Sequence, residues 1–259
     1  MSTTCSLPAP RSPLRRYAGL LVTFARNSLI RDMTFRSNFI IEVLSSLSWM
    51  VMNLGFYALI YQYTGSVATW DKYQFFVFIA TTMFINSLVQ SLFMPNMQEL
   101  SELVRTGGLD FALLKPIDTQ FLISLRKISW SSLGNFCVAG LLLAYALLHP
   151  EGPRPSPWAA VLYPAYLVCG VLILYSVMIT LAATSIWLGR NQSLYDFWFY
   201  ITNFSRYPME IYSGSILGTS LQLTFTYLIP ILVVINVPAR IMAKPLTAEG
   251  AGLIAFALV

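Results

Sequence analysis

From Ser37 to Tyr61 the chain carries a single charge, Glu42. A helix over that stretch, at about 1.5 Å per residue, outruns the roughly 30 Å hydrocarbon core of a bilayer. The pattern recurs over 73–94, 121–148 and 157–188. Stretches of this kind commit a chain to lipid, where backbone polar groups must be satisfied within the segment and helices are the economical solution. Composition leads to the same place. Hydrophobic residues make up 56% of the 259 positions and charged residues 10%, against about 25% charged in soluble domains, so too little polar surface exists to cover a soluble core. The expected fold is all-α, a polytopic membrane protein of six transmembrane helices. Residues 1–36 form a tail and an interfacial helix, and 37–259 form one membrane domain.

Arg11, Arg15, Arg16, Arg26, Arg31 and Arg36 face one acid, Asp32, in the N-terminal region, which places that end in the cytoplasm by the positive-inside tendency. Arg26 interrupts the apolar stretch and no small-residue cleavage site follows, so this is not a secretory signal. Tyr17, Leu20, Leu21 and Phe24 recur at helical spacing, which predicts an amphipathic helix over 13–34 lying along the interface, with the first twelve residues disordered. The first span then runs outward and the second, 73–94, returns, with Trp70 and Tyr73 at the aromatic belt between them. Residues 95–120 carry Glu99, Glu102, Arg105, Asp110, Lys115 and Asp118 and form a cytoplasmic loop. A third span is expected from Phe121 to Leu148, with Arg126 and Lys127 snorkelling to the inner interface. A turn at His149–Pro153 leads to a fourth span over 157–188.

The last third admits two readings. Residues 212–236 form a plain fifth span, or that span starts near Gln192 and the region around Pro230 and Pro238 folds back as a re-entrant pair; we prefer the second. The Gly214–Gly218 pair permits close helix approach. Leu246 opens a sixth span, which Val259 leaves with about a dozen apolar residues where around 20 are needed, so the last helix is expected to be incomplete.

Several chemistries lack their residues. The single histidine precludes a His–His metal pair, and Cys5, Cys137 and Cys169 lie far apart. No G-x-S-x-G elbow occurs, and the absence of any Gly-Lys dipeptide removes the phosphate-cradling loop of ATPases. The sixteen Lys and Arg are not gathered on one face, which argues against nucleic acid. If ATP drives this protein, another chain binds it.

The cytoplasmic segment from Met97 reads MQELSELVRTGGLDFALLKPIDTQFLISLRK. Gly107 and Gly108 suit the left-handed position that ends a helix, and a second short helix fits Asp110 to Leu114, stopped before Pro116. From spacing alone this is equally a polar connection or a lever for a soluble motor. The run Val104–Phe121, VRTGGLDFALLKPIDTQF, resembles the hallmark loop of bacterial type-2 ATP-binding-cassette (ABC) transporter permeases. The basic amphipathic start, Trp70, the RYP at Arg206–Pro208, Ile229–Pro230 and the VPAR at Val237–Arg240 extend the resemblance over nearly the whole chain.

The resemblance implies a multi-pass protein of the bacterial inner membrane that pairs with a second copy or a related permease and contacts membrane lipid. Two copies of a cytoplasmic ABC ATPase would carry ATP and magnesium, with no cofactor on this chain. It assigns ATPase coupling to Glu102, Arg105, Gly107, Gly108, Leu109, Asp110, Phe111, Leu114, Lys115 and Pro116, although Asp110 and Lys115 equally suit capping and solvation of the short helix. Candidate cavity-lining residues are Ser45, Ser46, Ser48 and Asn53 on the first span, Asn86, Ser87 and Gln90 on the second, and Asn203 near the fifth; such groups also bond across helices. Glu42 is read as interfacial. The implied function is an exporter; the family carries lipids, glycans, drugs and peptides, and the scarcity of fixed charges in these spans favours amphiphilic or lipid-like cargo over a small, highly charged one. The rivals are a non-transporting scaffold and a lipid-modifying enzyme, the latter without a visible acid, base or metal set.

Overall fold

Pro13 opens the first helix, and the apolar stripe foreseen above sets its packed face. The computed structural model describes residues 13–34, 36–188, 199, 203–212 and 214–244. In α1 (Pro13–Thr34) the stripe of Tyr17, Leu20, Leu21 and Phe24 runs on through Ala25 to the buried Ser28, while Arg15, Arg16 and Arg26 are exposed. Helix α2 (Arg36–Tyr63) follows and buries none of its 28 residues. It stands at the rim, tied to the bundle by the Asn135 amide, which donates to Ser46 Oγ at 2.6 Å.

A two-stranded antiparallel hairpin, β1 (Ser66–Val67) and β2 (Trp70–Asp71), turns the chain. Asp71 and Gln74 form a capping box that starts α3 (Lys72–Leu92), so two otherwise orphaned backbone donors are satisfied. Thirteen of the 21 residues of α3 are buried, which makes it the centre of the bundle. Around it pack α7 (Trp130–Leu148) and α8 (Pro157–Ala183). Hydroxyls stitch the helices together: Ser87 and Ser91 donate to the carbonyls of Ser132 and Ser129 at 2.6 and 2.9 Å, and Thr81 meets Tyr163 at 3.0 Å. At membrane depth each such bond contributes about a kcal/mol or less. Among the described residues four helices are long and apolar enough to cross a membrane: α2, α3 with its continuation, α7 and α8.

The third span differs from its expected bounds. Phe121 falls in a separate short helix, α6 (Thr119–Leu125), and α7 begins only at Trp130. Arg126 and Lys127 therefore do not snorkel from a span. Lys127 pairs with Glu99 at 2.9 Å, and the Asn96 amide accepts from the Lys127 N–H and donates to its carbonyl, at 2.8 and 2.7 Å. One side chain thus replaces the helical bonds missing at the break. The fourth span ends at Ala183, and a further turn, α9 (Ser185–Leu188), follows.

Beyond it come a 3₁₀ turn (Met209–Tyr212), α10 (Ile216–Leu223) running into a π turn (Thr224–Leu228), and α11 (Ile231–Ala243). The last two helices meet at 85° around Pro230. Both outer ends of this pair return to one end of the bundle. Before it, Glu210 lies 2.8 Å from Arg240 and 3.4 Å from Lys244; after it, Lys244 donates to Thr69 at 2.8 Å and sits 4.3 Å from the Trp70 ring centre. Meanwhile Gly170, halfway along α8, faces Val234 near the start of α11. A segment that enters beside the hairpin, turns halfway down and comes back to the hairpin is re-entrant, not a plain span. Its irregular backbone is covered by protein, with Ile231 through Ala239 all buried. The close approach allowed by Gly218 is local, since a Cβ there would lie 2.2 Å from the Tyr212 carbonyl. The expected sixth span, Cys5 and most of 189–202 lie outside the described residues.

A Cβ on Gly170 would stand 3.0 Å from the Val234 carbonyl oxygen, so this crossing has no room for a larger side chain. Gly170→Leu is expected to cost about 1–3 kcal/mol through overpacking, seen as a lower melting temperature of the detergent-purified protein; an unchanged value would mean that α11 can move away from α8 freely.

Candidate functional site

Helix α3 continues past Phe93 as α4 (Met94–Arg105), with Pro95 in its first turn. Glu102 and Arg105 close an ion pair along its last turn. Gly107 then takes φ of +72°, a conformation that costs other L-residues about 1–2 kcal/mol, and reverses the chain into α5 (Gly108–Leu113). At Gly108 a Cβ would come 3.0 Å from Leu103 Cδ2. Within α5, Leu109 and Ala112 pack inward and Asp110 occupies the first turn. Phe111 and Leu114, 74% and 81% exposed, point away from the protein together with Leu113. Lys115 is exposed, and the Pro116 carbonyl accepts from Arg16 at 2.9 Å. Three large apolar side chains thus stand bare on a tip carried by α4, the continuation of α3. Leu113 was not among the residues assigned from the resemblance; its place beside Phe111 and Leu114 comes from the helical turn.

Helix α1 lies along the segment that follows this tip. The Tyr17 hydroxyl accepts from the Asp118 N–H at 3.3 Å, and the Tyr17 ring meets Phe121 edge-on at 4.9 Å, with Phe24 at 6.3 Å. Farther along, Ser28 Oγ accepts from the Ile128 N–H at 3.1 Å, and the Ala25 carbonyl accepts from Trp130 Nε1 at 3.1 Å. One amphipathic helix is therefore keyed both to the tip's exit and to the first residue of α7.

A second feature runs between α2, α3 and α7. Two cavities, of about 190 and 310 Å³, share Asn86, Gln90 and Arg206 in their walls. Asn53 and Ser46 line the smaller one, together with Trp49, Met50 and Tyr57; Glu42 and Gln98 line the larger. Along α3 and α4 the lining extends from Ile79 to Gln98, roughly 28 Å at helical rise. Toward the hairpin it gives way to a packed aromatic cluster, in which Phe75 lies 5.0 Å from Tyr57 and 5.8 Å from Phe78, itself 5.4 Å from Trp70.

The structure thus brings Asn53, Asn86 and Gln90 together on one cleft. Ser45 and Ser48 are exposed on another face of α2, and the Asn203 amide donates to the Phe199 carbonyl at 2.9 Å without lining either cavity. Ser87 is a wall residue whose hydroxyl is spent on Ser132. Arg206 and Asn135, which pattern alone did not single out for the cleft, belong to it. The basic residue of RYP, standing in an otherwise aromatic stretch, was the available signal.

A protein-family model described as ABC-2 family transporter protein matches residues 47–259, leaving α1 and the first turns of α2 outside the match. No curated protein matches the chain, and no solved structure does.

Proposed function

This chain belongs to the ABC-2 family of transporter proteins, as the match over residues 47–259 shows, and from that premise we propose that it is an exporter permease which works as a dimer and is driven by two separate cytoplasmic ATPase subunits docking on α5. A multi-pass ABC transporter permease subunit is what the family and the long apolar helices establish; direction, copy number and coupling are the proposal. The observation that carries it is the bare apolar tip of Phe111, Leu113 and Leu114. Water-exposed side chains of that size gathered on one short helix are the anchors of a protein interface. The α5 end is then cytoplasmic, the hairpin end external, and the N-terminal helix cytoplasmic in a bacterial inner membrane.

The cleft supports export. Its lining reaches the α5 end at Gln98, while aromatic packing closes the other end. Movement of α4 and α5 by the ATPases would be carried straight into α3, the wall of the cleft. Glu102 and Arg105 stiffen the end of that lever, Gly107 and Gly108 form its bend, and Asp110, Lys115 and Pro116 border the docking tip.

Co-expression with the candidate ATPase tests this. Because both side chains are exposed, Phe111→Glu with Leu114→Glu should fold normally and weaken the complex at least tenfold, about 1.4 kcal/mol or more. An unchanged complex would move the docking site elsewhere, and a wild type that binds no ATPase would favour a non-transporting scaffold.

A further inference from the structure

Resting on the exporter reading, we propose that the cleft between α2, α3 and α7 takes an amphiphile with an anionic headgroup, and that Arg206 binds the headgroup. Arg206 is the one charged residue in the wall of the smaller cavity. Among the described residues its guanidinium has neither an ion pair within 4.0 Å nor a side-chain hydrogen bond, and the same holds for the Asn86 and Gln90 side-chain amides beside it. Three donor groups therefore converge on one space with their hydrogen-bonding capacity unspent. At membrane depth an arginine without a counter-charge is costly, and a phosphate, sulfate or carboxylate bound beside it removes that cost through charge-assisted hydrogen bonds.

Of the two cavities Glu42 lines only the larger, on α2 eleven residues before Asn53, and among the described residues no ion pair joins it to Arg206. It leaves the smaller cavity positive. The cavity's other wall is apolar, with Trp49, Met50, Leu54 and Met83. Helix α2, which carries Trp49, Met50 and Leu54 of that wall, has no buried residue along its length, so an acyl or alkyl chain has apolar surface to follow while its headgroup rests on the polar side. A free inorganic anion would use the donors and leave the apolar wall without a role.

The test needs no ATPase, which separates it from the docking experiment. The purified full chain in phosphatidylcholine nanodiscs is titrated with bromine-labelled dodecyl phosphate, and quenching of Trp49 is read against a Trp49→Phe control. Wild type is expected to bind, with dodecyl maltoside and dodecyltrimethylammonium at least tenfold weaker and inorganic phosphate failing to compete. Arg206→Gln should lose on the order of tenfold or more in affinity for dodecyl phosphate, while Arg206→Lys keeps most of it and Phe111→Glu with Leu114→Glu changes nothing. Equal binding of the three amphiphiles, unchanged affinity in Arg206→Gln, or competition by inorganic phosphate at equal concentration would each overturn the proposal. A misfolded Arg206→Gln would be recognised by its melting temperature, and the amphiphile comparison on wild type would then decide.

Discussion

Glu210→Ala is expected to cost about 3 kcal/mol, the low end of what removing one partner from a buried ion pair costs, and to lower the melting temperature by roughly 6–12 °C. The carboxylate is shared: one oxygen meets Arg240 at 2.8 Å and Lys244 at 3.4 Å, with 16% of the acid's side chain and 21% of each base's exposed. Its loss would strand two cations where the re-entrant pair begins and ends. The pair would then keep Lys244 on Thr69 and over the Trp70 ring at the hairpin, and, at the 3₁₀ turn, the Asn236 side-chain amide oxygen, which accepts from the Met209 N–H at 3.0 Å. Burial pushes the Glu210 carboxyl up, but Arg240, hydrogen bonding to its own backbone N–H and to the Trp70 side chain, and Lys244 together more than offset it and leave it below the ordinary carboxylate range. A carboxyl depressed in the folded state adds stability above its unfolded value of about 4.3 and loses it as pH falls through the folded value. The gap between wild type and Glu210→Ala should therefore be full at neutral pH and shrink below about pH 4. Glu210→Met combined with Arg240→Met should lie closer to wild type than either single variant, since an apolar pair leaves less charge stranded. If the double variant loses the sum of both singles, the cluster is not a coupled unit.

This cluster was invisible to sequence reasoning for a physical reason. Glu210, Arg240 and Lys244 lie 30 and 34 residues apart, and no local periodicity links them; only the turn at Pro230 brings them together. The re-entrant fold itself was partly legible, because Pro230 and Pro238 interrupt the apolar run, yet their presence did not say on which side the chain returns. Where the signal is local, the reading went further. The stripe from Tyr17 to Phe24 specifies α1 because four side chains at helical spacing define a face without help from elsewhere. Runs with at most one charge specify α2, α3, α7 and α8 because lipid enforces helices. The break between α6 and α7 was missed because Arg126 and Lys127 could be accommodated by snorkelling; what ends the helix is Asn96, thirty-one residues earlier. In the cleft, Ser46 faces inward and Ser45 and Ser48 do not. Polarity in an apolar helix names candidates, whereas rotation about the helix axis, set by packing against α7, chooses among them.

The keyed position of α1 leads to the second large effect. Phe121 sits in α6 between the tip of α5 and the start of α7, and it receives both Tyr17 and Phe24 from α1. Truncating it leaves the α5 tip bare for the ATPase, because Phe111 and Leu114 stay exposed to solvent, but removes the aromatic seam between α1 and α6. Phe121→Ala is accordingly expected to keep the ATPase complex and most of its hydrolysis while transport falls on the order of a hundredfold, near the upper end of coupling free energies between sites. Tyr17→Phe is the informative control. It removes only the hydroxyl that accepts from Asp118, a bond of about 1 kcal/mol, and should cost transport several-fold at most. Purified complexes in proteoliposomes, with hydrolysis and efflux measured on the same vesicles, separate the possibilities. Hydrolysis and transport falling together would make the seam a support for docking, and both surviving would make α1 a bystander at the interface. Hydrolysis without transport is the outcome demanded by a helix that transmits motion from the loop to the first residue of α7.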